Sequence, residues 1–405
     1  MTKRDTAQLR HRHALVATLG GLSMFGPLAT DMYLPGLPRL THSLHASASA
    51  TQLTLTFSLL GLGFGQILLG ALSDARGRRP IVLAGLVSFI VTSLLCAISP
   101  SIWVLIVVRL LQGFAGAAGI AIGRAVVRDM YVGTDAARIF AVVLAINGVS
   151  PIVAPLAGAA ILTVGTWRTV FVALALIGVV LLVMTLAFVP ESLAVRDRHS
   201  GDVRDMAHTY RRLLADRRFM APASAYALSF CALFSYISGA SYVLENVYHL
   251  SPQLFSVVFA CNSAGIVAFT LISGRLVSRF DLVRLLLTGL GVSLAGTLMV
   301  LVVCVMHTPV MPLILGLFVV AASQGLVMPN AISRAMNARP EAYGSASGLI
   351  GLGQFGMGAL VAPLVGLSGT HDGTPMGVVM LASAAGALTV LLWLSGGWRA
   401  MLASA

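Results

Sequence analysis

"GALSDARGRRPIVLAG", residues 70–85, decides how the chain is read. It holds one acid, Asp74, and three arginines, Arg76, Arg78 and Arg79, between an apolar run at 51–72 and another at 81–99. Each run is close to the ~20 residues that a helix needs to cross a hydrocarbon core of roughly 30 Å. The polar break between them is too short for a domain, and it is basic. Basic turns stay on the cytoplasmic side of a membrane. The stretch therefore reads as two crossing helices joined by a cytoplasmic turn.

Working outward, the same pattern repeats along all 405 residues. The chain is 58% hydrophobic and 10% charged, against roughly 25% charged residues in soluble proteins. Twelve spans are expected, at 14–36, 51–72, 81–99, 101–123, 138–163, 167–189, 220–243, 252–274, 282–305, 309–330, 345–367 and 375–396. The runs are continuous and lack the period-2 alternation of a membrane β-barrel, so the expected class is an all-α polytopic membrane protein. "MTKRDTAQLRHRH" precedes an apolar stretch longer than a signal-peptide core, which reads as an uncleaved first span.

Charge orients these spans. The formal net charge is +12, and with both termini placed in the cytoplasm 23 of the 26 basic residues fall in cytoplasmic tails and loops. Only Arg39 and Arg168 lie outside, and Arg109 lies within a span. The basic balance is thus topological and does not indicate nucleic-acid binding. The four cysteines stand singly in apolar runs with no metal-ligand spacing. "GLGQFG", 351–356, satisfies a dinucleotide pattern but lies inside a span without a βαβ unit, so its glycines are read as helix packing. No metalloprotease, P-loop or nucleophile-elbow pattern is present.

The organisation expected is a cytoplasmic tail at 1–13, a six-span half at 14–189, a cytoplasmic loop at 190–219, a second half at 220–397 and a tail at 398–405. The loop is charged and partly helical in pattern, suited to the membrane surface. "VAPLAG" (153–158) returns as "VAPLVG" (361–366), and "GALSD" (70–74) is echoed by "GRLVS" (274–278). Parallel six-span repeats with a site at their interface are a transporter plan. Gly61/Gly65 and Gly119/Gly123 have the spacing that lets membrane helices approach closely.

One acid stands out. Asp31, in "LATDMYLPGLP" (28–38), is the only carboxylate between Asp5 and Asp74. With the first span leaving the membrane near Leu37, Asp31 lies roughly 9 Å inside the outer end, and Arg109 lies roughly 12 Å below the same face. Intramembrane ionisable residues usually face a cavity and carry function. Proximity to Arg109 favours the carboxylate, and desolvation favours the neutral acid. A group that alternates between those surroundings is a proton carrier.

Several stretches resemble the major facilitator superfamily. The Gly70, Asp74, Gly77, Arg78, Arg79 spacing is similar to its loop 2–3 signature. Ala75 stands where the signature often has a basic residue. The sequence leaves open whether Arg76 or another arginine makes the inter-helix charge contact, with Asp129 in "GRAVVRDMY" as the acidic partner. Arg109 with Gln112 and Gly113 resembles the span 4 pattern that is tied to proton coupling. "INGVSPIVAPLAGAA", with Gly148, Pro151, Pro155 and Gly158, resembles the span 5 pattern of exporters, with Ala154 and Ala159 in place of glycines. "TDMYLPGLP" and the span 7 stretch "SFCALFSYISGASYVLENVY" are similar to the Bcr/CflA group of drug:proton antiporters.

The resemblance implies a multi-pass protein of the bacterial cytoplasmic membrane, working as a monomer that exchanges protons for an amphiphilic drug, with no other cofactor. An apolar cavity with a few polar groups suits such a ligand. Its candidate lining is Met24, Phe25, Tyr33, Asn147, Phe230, Phe234, Tyr236, Asn262 and Gln354, with Gln66 a further polar group. Two other readings remain open from the residues. One is a proton-coupled importer of a small polar solute, and the other is a multi-pass membrane enzyme.

Overall fold

The computed structural model describes residues 3–131, 133–194, 203–307, 309–339, 343–366 and 372–396. The expected tail at 398–405 and residues 195–202 of the central loop lie outside the described residues. The chain runs through α1 (Lys3–Asp31), a 3-10 turn (Leu34–Gly36), α2 (Leu37–Ser43), α3 (Ala48–Arg76) and α4 (Arg78–Ala97). It continues with α5 (Ile102–Met130), α6 (Gly133–Val164), α7 (Trp167–Phe188) and α8 (Val203–Ala215). Then follow α9 (Arg217–Tyr242) with a π-helical turn (Val243–Val247), α10 (Pro252–Leu276), α11 (Leu282–Met306), α12 (Val310–Ala338), α13 (Tyr343–Val365) and α14 (Thr374–Leu394).

Among the described residues there is no strand, and ten helices are long and apolar enough to cross a membrane. The two remaining apolar stretches, His13–Gly26 and Val149–Val164, lie in α1 and α6. The protein is a multi-pass helical membrane protein, and the twelve segments fall where the apolar runs placed them. α2 and α8 are additional, short elements.

The first span ends earlier than expected. Its helix stops at Asp31 rather than running to residue 36. Pro35 has no N–H for the carbonyl of Asp31, and Pro38 has none for Leu34. The helix breaks and restarts at Leu37. Asp31 is therefore the last residue of α1, not two turns inside it. Four other helices start at capping side chains. Ser101, Ser251, Asp281 and Asp216 accept from Val104, Leu254, Val283 and Arg218 N–H at α5, α10, α11 and α9.

The helices cluster into two compact units. The first comprises residues 1–36 and 57–201, the second 37–56 and 202–405, so α3 passes from one to the other. In the first unit, α1 packs on α5, α6 and α7, and α4 packs on α5 and α7. Glycine makes these approaches possible. A Cβ at Gly61 would meet the Leu110 carbonyl, one at Gly113 the Ser58 carbonyl, and one at Gly119 the Leu22 carbonyl. Gly158 faces the Met32 carbonyl in the same way. Gly70, by contrast, has nothing within 4 Å of its would-be Cβ.

In the second unit, Phe219, Tyr226, Leu286, Leu290, Val327 and Leu391 form a core into which Leu213 of α8 plugs. A further repeat emerges here. "VVRLLQG" (107–113) of α5 is matched by "VVAASQG" (319–325) of α12. Gly113 sits against α3 backbone, and Gly325 sits against the Ile266 carbonyl and the Thr270 N–H of α10. The same Gln-Gly pair thus closes the same kind of contact in each unit, one on the second span and the other on the eighth. Arg109 corresponds to Ala321.

Candidate functional site

At the α3–α4 turn, Gly77 has φ 102°, a backbone conformation that L side chains rarely adopt. That turn folds Arg78 inward until it is 3% exposed. Its Nε donates to Asp129 Oδ2 at 2.9 Å, and its Nη1 donates to Ser73 Oγ at 2.8 Å and pairs with Asp74. The arginine of the inter-helix contact is therefore Arg78, while Arg76 is exposed. Ser192 also donates to Asp129, at 3.1 Å.

The sequence reading missed Glu191. Its carboxylate accepts from the N–H groups of Arg78 and Arg79, at 2.9 and 3.2 Å, where α4 begins. Anionic groups are stabilised at a helix N-terminus by its unsatisfied donors and dipole. Asp74, near the end of α3, pairs instead with Arg78 at the start of α4 and is half exposed. Arg79 donates to the Leu186 carbonyl at 2.9 Å, so it ties α4 to the end of α7.

Deeper in the first unit, Arg109 is fully buried. Its Nη1 donates to the Ala29 carbonyl at 3.2 Å and to Gln112 Oε1, and Gln112 in turn donates to Ser93 Oγ at 2.7 Å. The guanidinium lies 4.6 Å from the Tyr33 ring centroid and 5.7 Å from that of Phe171, a cation–π arrangement. Its Nε and Nη2 are buried with no hydrogen-bond partner. Asp31 is 7% exposed, two residues from Ala29 and two from Tyr33. The fold brings these charges into one neighbourhood. Among the described residues, however, no ion pair joins them.

The other candidates separate by unit. Phe25 is buried and packs on Phe89 at 3.9 Å between centroids, and Met24 is partly exposed. In the second unit Phe230 stacks on Phe234 at 5.8 Å and meets Phe355 edge-on at 6.1 Å. Asn262 donates to the Tyr236 hydroxyl at 2.8 Å, and Tyr226 donates to Gln354 at 2.7 Å. Gln66 keeps a buried Nε2 without a partner. Pro151 and Pro155 lie inside α6, which continues unbroken past both. The side chain of Asn147, and with it Gly148, lies outside the described residues.

Two polar groupings of the second unit were also missed. Tyr242 and Thr41 share a 2.7 Å hydrogen bond, and Gln52 donates to the Ser238 carbonyl at 3.2 Å. Glu245, in the π-helical turn, has a buried Oε1 without a partner and feels the charge of Arg39. The only advance signal was an acid two residues after a span expected to end at 243. The four cysteines are free thiols.

Residues 19–363 match the Major Facilitator Superfamily profile. The chain is 36% identical over 377 residues to the uncharacterized MFS-type transporter YdgK of Bacillus subtilis, covering 93% of this chain and 94% of that one. It is 25% identical over 369 residues to a bicyclomycin resistance protein homolog of Haemophilus influenzae, covering 91% and 93%. Its fold matches the xylose transporter XylE from E. coli with a TM-score of 0.71, at 16% identity over 94% and 96% of the two chains. These proteins are transporters, not enzymes. The chain belongs to the major facilitator superfamily, in its Bcr/CflA group.

Proposed function

We propose that this transporter exports small amphiphilic drugs from the bacterial cytoplasm in exchange for protons, by alternating access, with both termini on the cytoplasmic side. One observation carries the reading. A fully buried Arg109 with two unsatisfied nitrogens lies beside the end of α1, where Asp31 is also buried, and the two are not paired. Unpaired charges inside a membrane protein are costly and are kept for function. Relatives named for bicyclomycin and chloramphenicol resistance support a drug as the substrate.

Asp31 is the proton carrier. Ionised, it is drawn to the Arg109 guanidinium; protonated, it loses that attraction, and the surroundings of α1 relax. The aromatic set Phe230, Phe234 and Phe355 supplies faces suited to an apolar drug body, and Tyr236, Asn262 and Gln354 supply polar contacts. A membrane potential contributes about 2.3 kcal/mol per charge per 100 mV. Each proton therefore supports roughly a tenfold to hundredfold drug gradient, at about 1.4 kcal/mol per tenfold.

Reconstituted vesicles with an imposed pH gradient test this. Asp31→Asn keeps the size of the side chain but exchanges no proton. It is expected to fold, to bind drug and to lose gradient-driven export. Full export by Asp31→Asn at wild-type protein levels would defeat the assignment, and inward accumulation by wild type would favour an importer.

A further inference from the structure

Where α8 meets α9 in the second unit there is a surface cavity of about 440 Å³ lined by Arg212, Ala215, Asp216, Arg217 and Arg339. Three guanidinium groups face one carboxylate. That carboxylate is already engaged. Asp216 caps α9 by accepting from the Arg218 N–H at 2.9 Å, and it takes Arg339 Nε at 2.6 Å. Burial alone would raise its pKa, but the hydrogen bonds and charges of Arg339 and Arg218 hold it below the ordinary 3.8. Arg212 and Arg217 have no ion pair among the described residues. Arg217 is also the first residue of α9, where the helix dipole adds positive potential. The cavity is built for an anion.

Its position says which kind. α9 and α12 are both membrane-crossing helices, and the cavity joins the start of one to the end of the other, so it lies at the level of lipid headgroups. α8 is held there by Leu213, 2% exposed in the core, and by the Tyr210 hydroxyl, which lies close to Gly348 of α13. Two unpaired arginines at headgroup level match the phosphate of a membrane lipid. Basic pockets at helix ends are known to take such headgroups.

We propose that this cavity binds the phosphate of an anionic phospholipid, with Arg212 and Arg217 on its oxygens. The lipid would lock the α8–α9 corner to the end of α12. The inference depends on neither drug export nor proton coupling.

The test uses purified full-length protein, delipidated in detergent. Retained lipid is measured by native mass spectrometry, and thermal unfolding is followed with phosphatidylglycerol, phosphatidylcholine or inorganic phosphate added. Phosphatidylglycerol should be retained and should raise the Tm, while the other two should not. Arg212→Gln/Arg217→Gln alters exposed positions, so the variant should fold; its affinity for phosphatidylglycerol should fall at least about tenfold. Arg279→Gln/Arg284→Gln removes two charges elsewhere in the same unit and should leave binding unchanged. Equal effects of the two lipids, an equal effect of inorganic phosphate, or equal losses in the two double variants would overturn the proposal.

Discussion

At the scale of single residues, charge is placed by burial. Asp129 and Asp74 both contact Arg78, but the Asp129 side chain is 14% exposed and that of Asp74 is 52% exposed. Exposed pairs are worth about 0–1 kcal/mol, and removing one partner of a buried pair costs about 3–5 kcal/mol. Asp129→Asn is therefore expected to cut transport and folded protein severalfold more than Asp74→Asn, read from vesicle transport and purified yield. The reverse ranking would mean that Asp74 governs the turn. Arg109→Lys tests geometry rather than charge. A lysine ammonium cannot reach the Ala29 carbonyl and Gln112 while stacking on Tyr33 as a planar fork does. Gradient-driven export should drop at least about tenfold, the worth of roughly 1.4 kcal/mol, with protein level retained. The charged residues at these sites were legible in the sequence because few charges occur in the spans. Glu191 was not, because its role depends on the end of α7 reaching the start of α4.

At the scale of helices, the contacts turn on which glycines meet backbone. Gly158→Ala would push a methyl group into the Met32 carbonyl, so α1 and α6 would have to separate. Gly70→Ala meets nothing and lies inside α3, where alanine is favoured over glycine by roughly 0.5–1 kcal/mol. Thermal unfolding in detergent should show the first variant clearly destabilised and the second as stable as wild type or more so. Both glycines sit in family-like patterns, and only the neighbouring helix distinguishes them. The Asp216–Arg339 link, which ties the start of α9 to the end of α12, should depend on pH. With the folded pKa below 3.8, the link stabilises above that value and loses its effect as pH falls through the lower one. The Tm difference between wild type and Asp216→Asn should hold from pH 7 to about 4 and shrink below it. A constant difference down to pH 2 would show that capping or packing, not charge, is what Asp216 provides.

At the scale of the whole molecule, two similar units differ in charge. The Gln-Gly pair at 112–113 and again at 324–325 shows the shared helix contact, yet Arg109 has Ala321 as its counterpart. The buried arginine of α5 therefore has no equivalent at the matching position of α12. Topology can be probed directly in a variant lacking the four cysteines. A cysteine at exposed His42 or His249 should react with an impermeant maleimide from outside the cell, and one at exposed Arg212 only after permeabilisation. Labelling of Arg212→Cys in intact cells would reverse the charge-based orientation.

The sequence by itself determined the solvent, the number of spans and the helical class. Apolar length and basic loops are local properties, and a bilayer leaves few backbone solutions for them. It also singled out Asp31 and Arg109, since an ionisable group in a span is conspicuous without any structure. Tertiary structure alone decided that Pro35 and Pro38 end the first helix at Asp31 and that Arg78 rather than Arg76 meets Asp129. It also decided that Arg109 rests on Ala29 and Tyr33 without pairing to Asp31. Each of these depends on how far one helix stands from another and on how it is rotated. Distances between segments remote in sequence are set by packing the whole unit, and no local pattern encodes them.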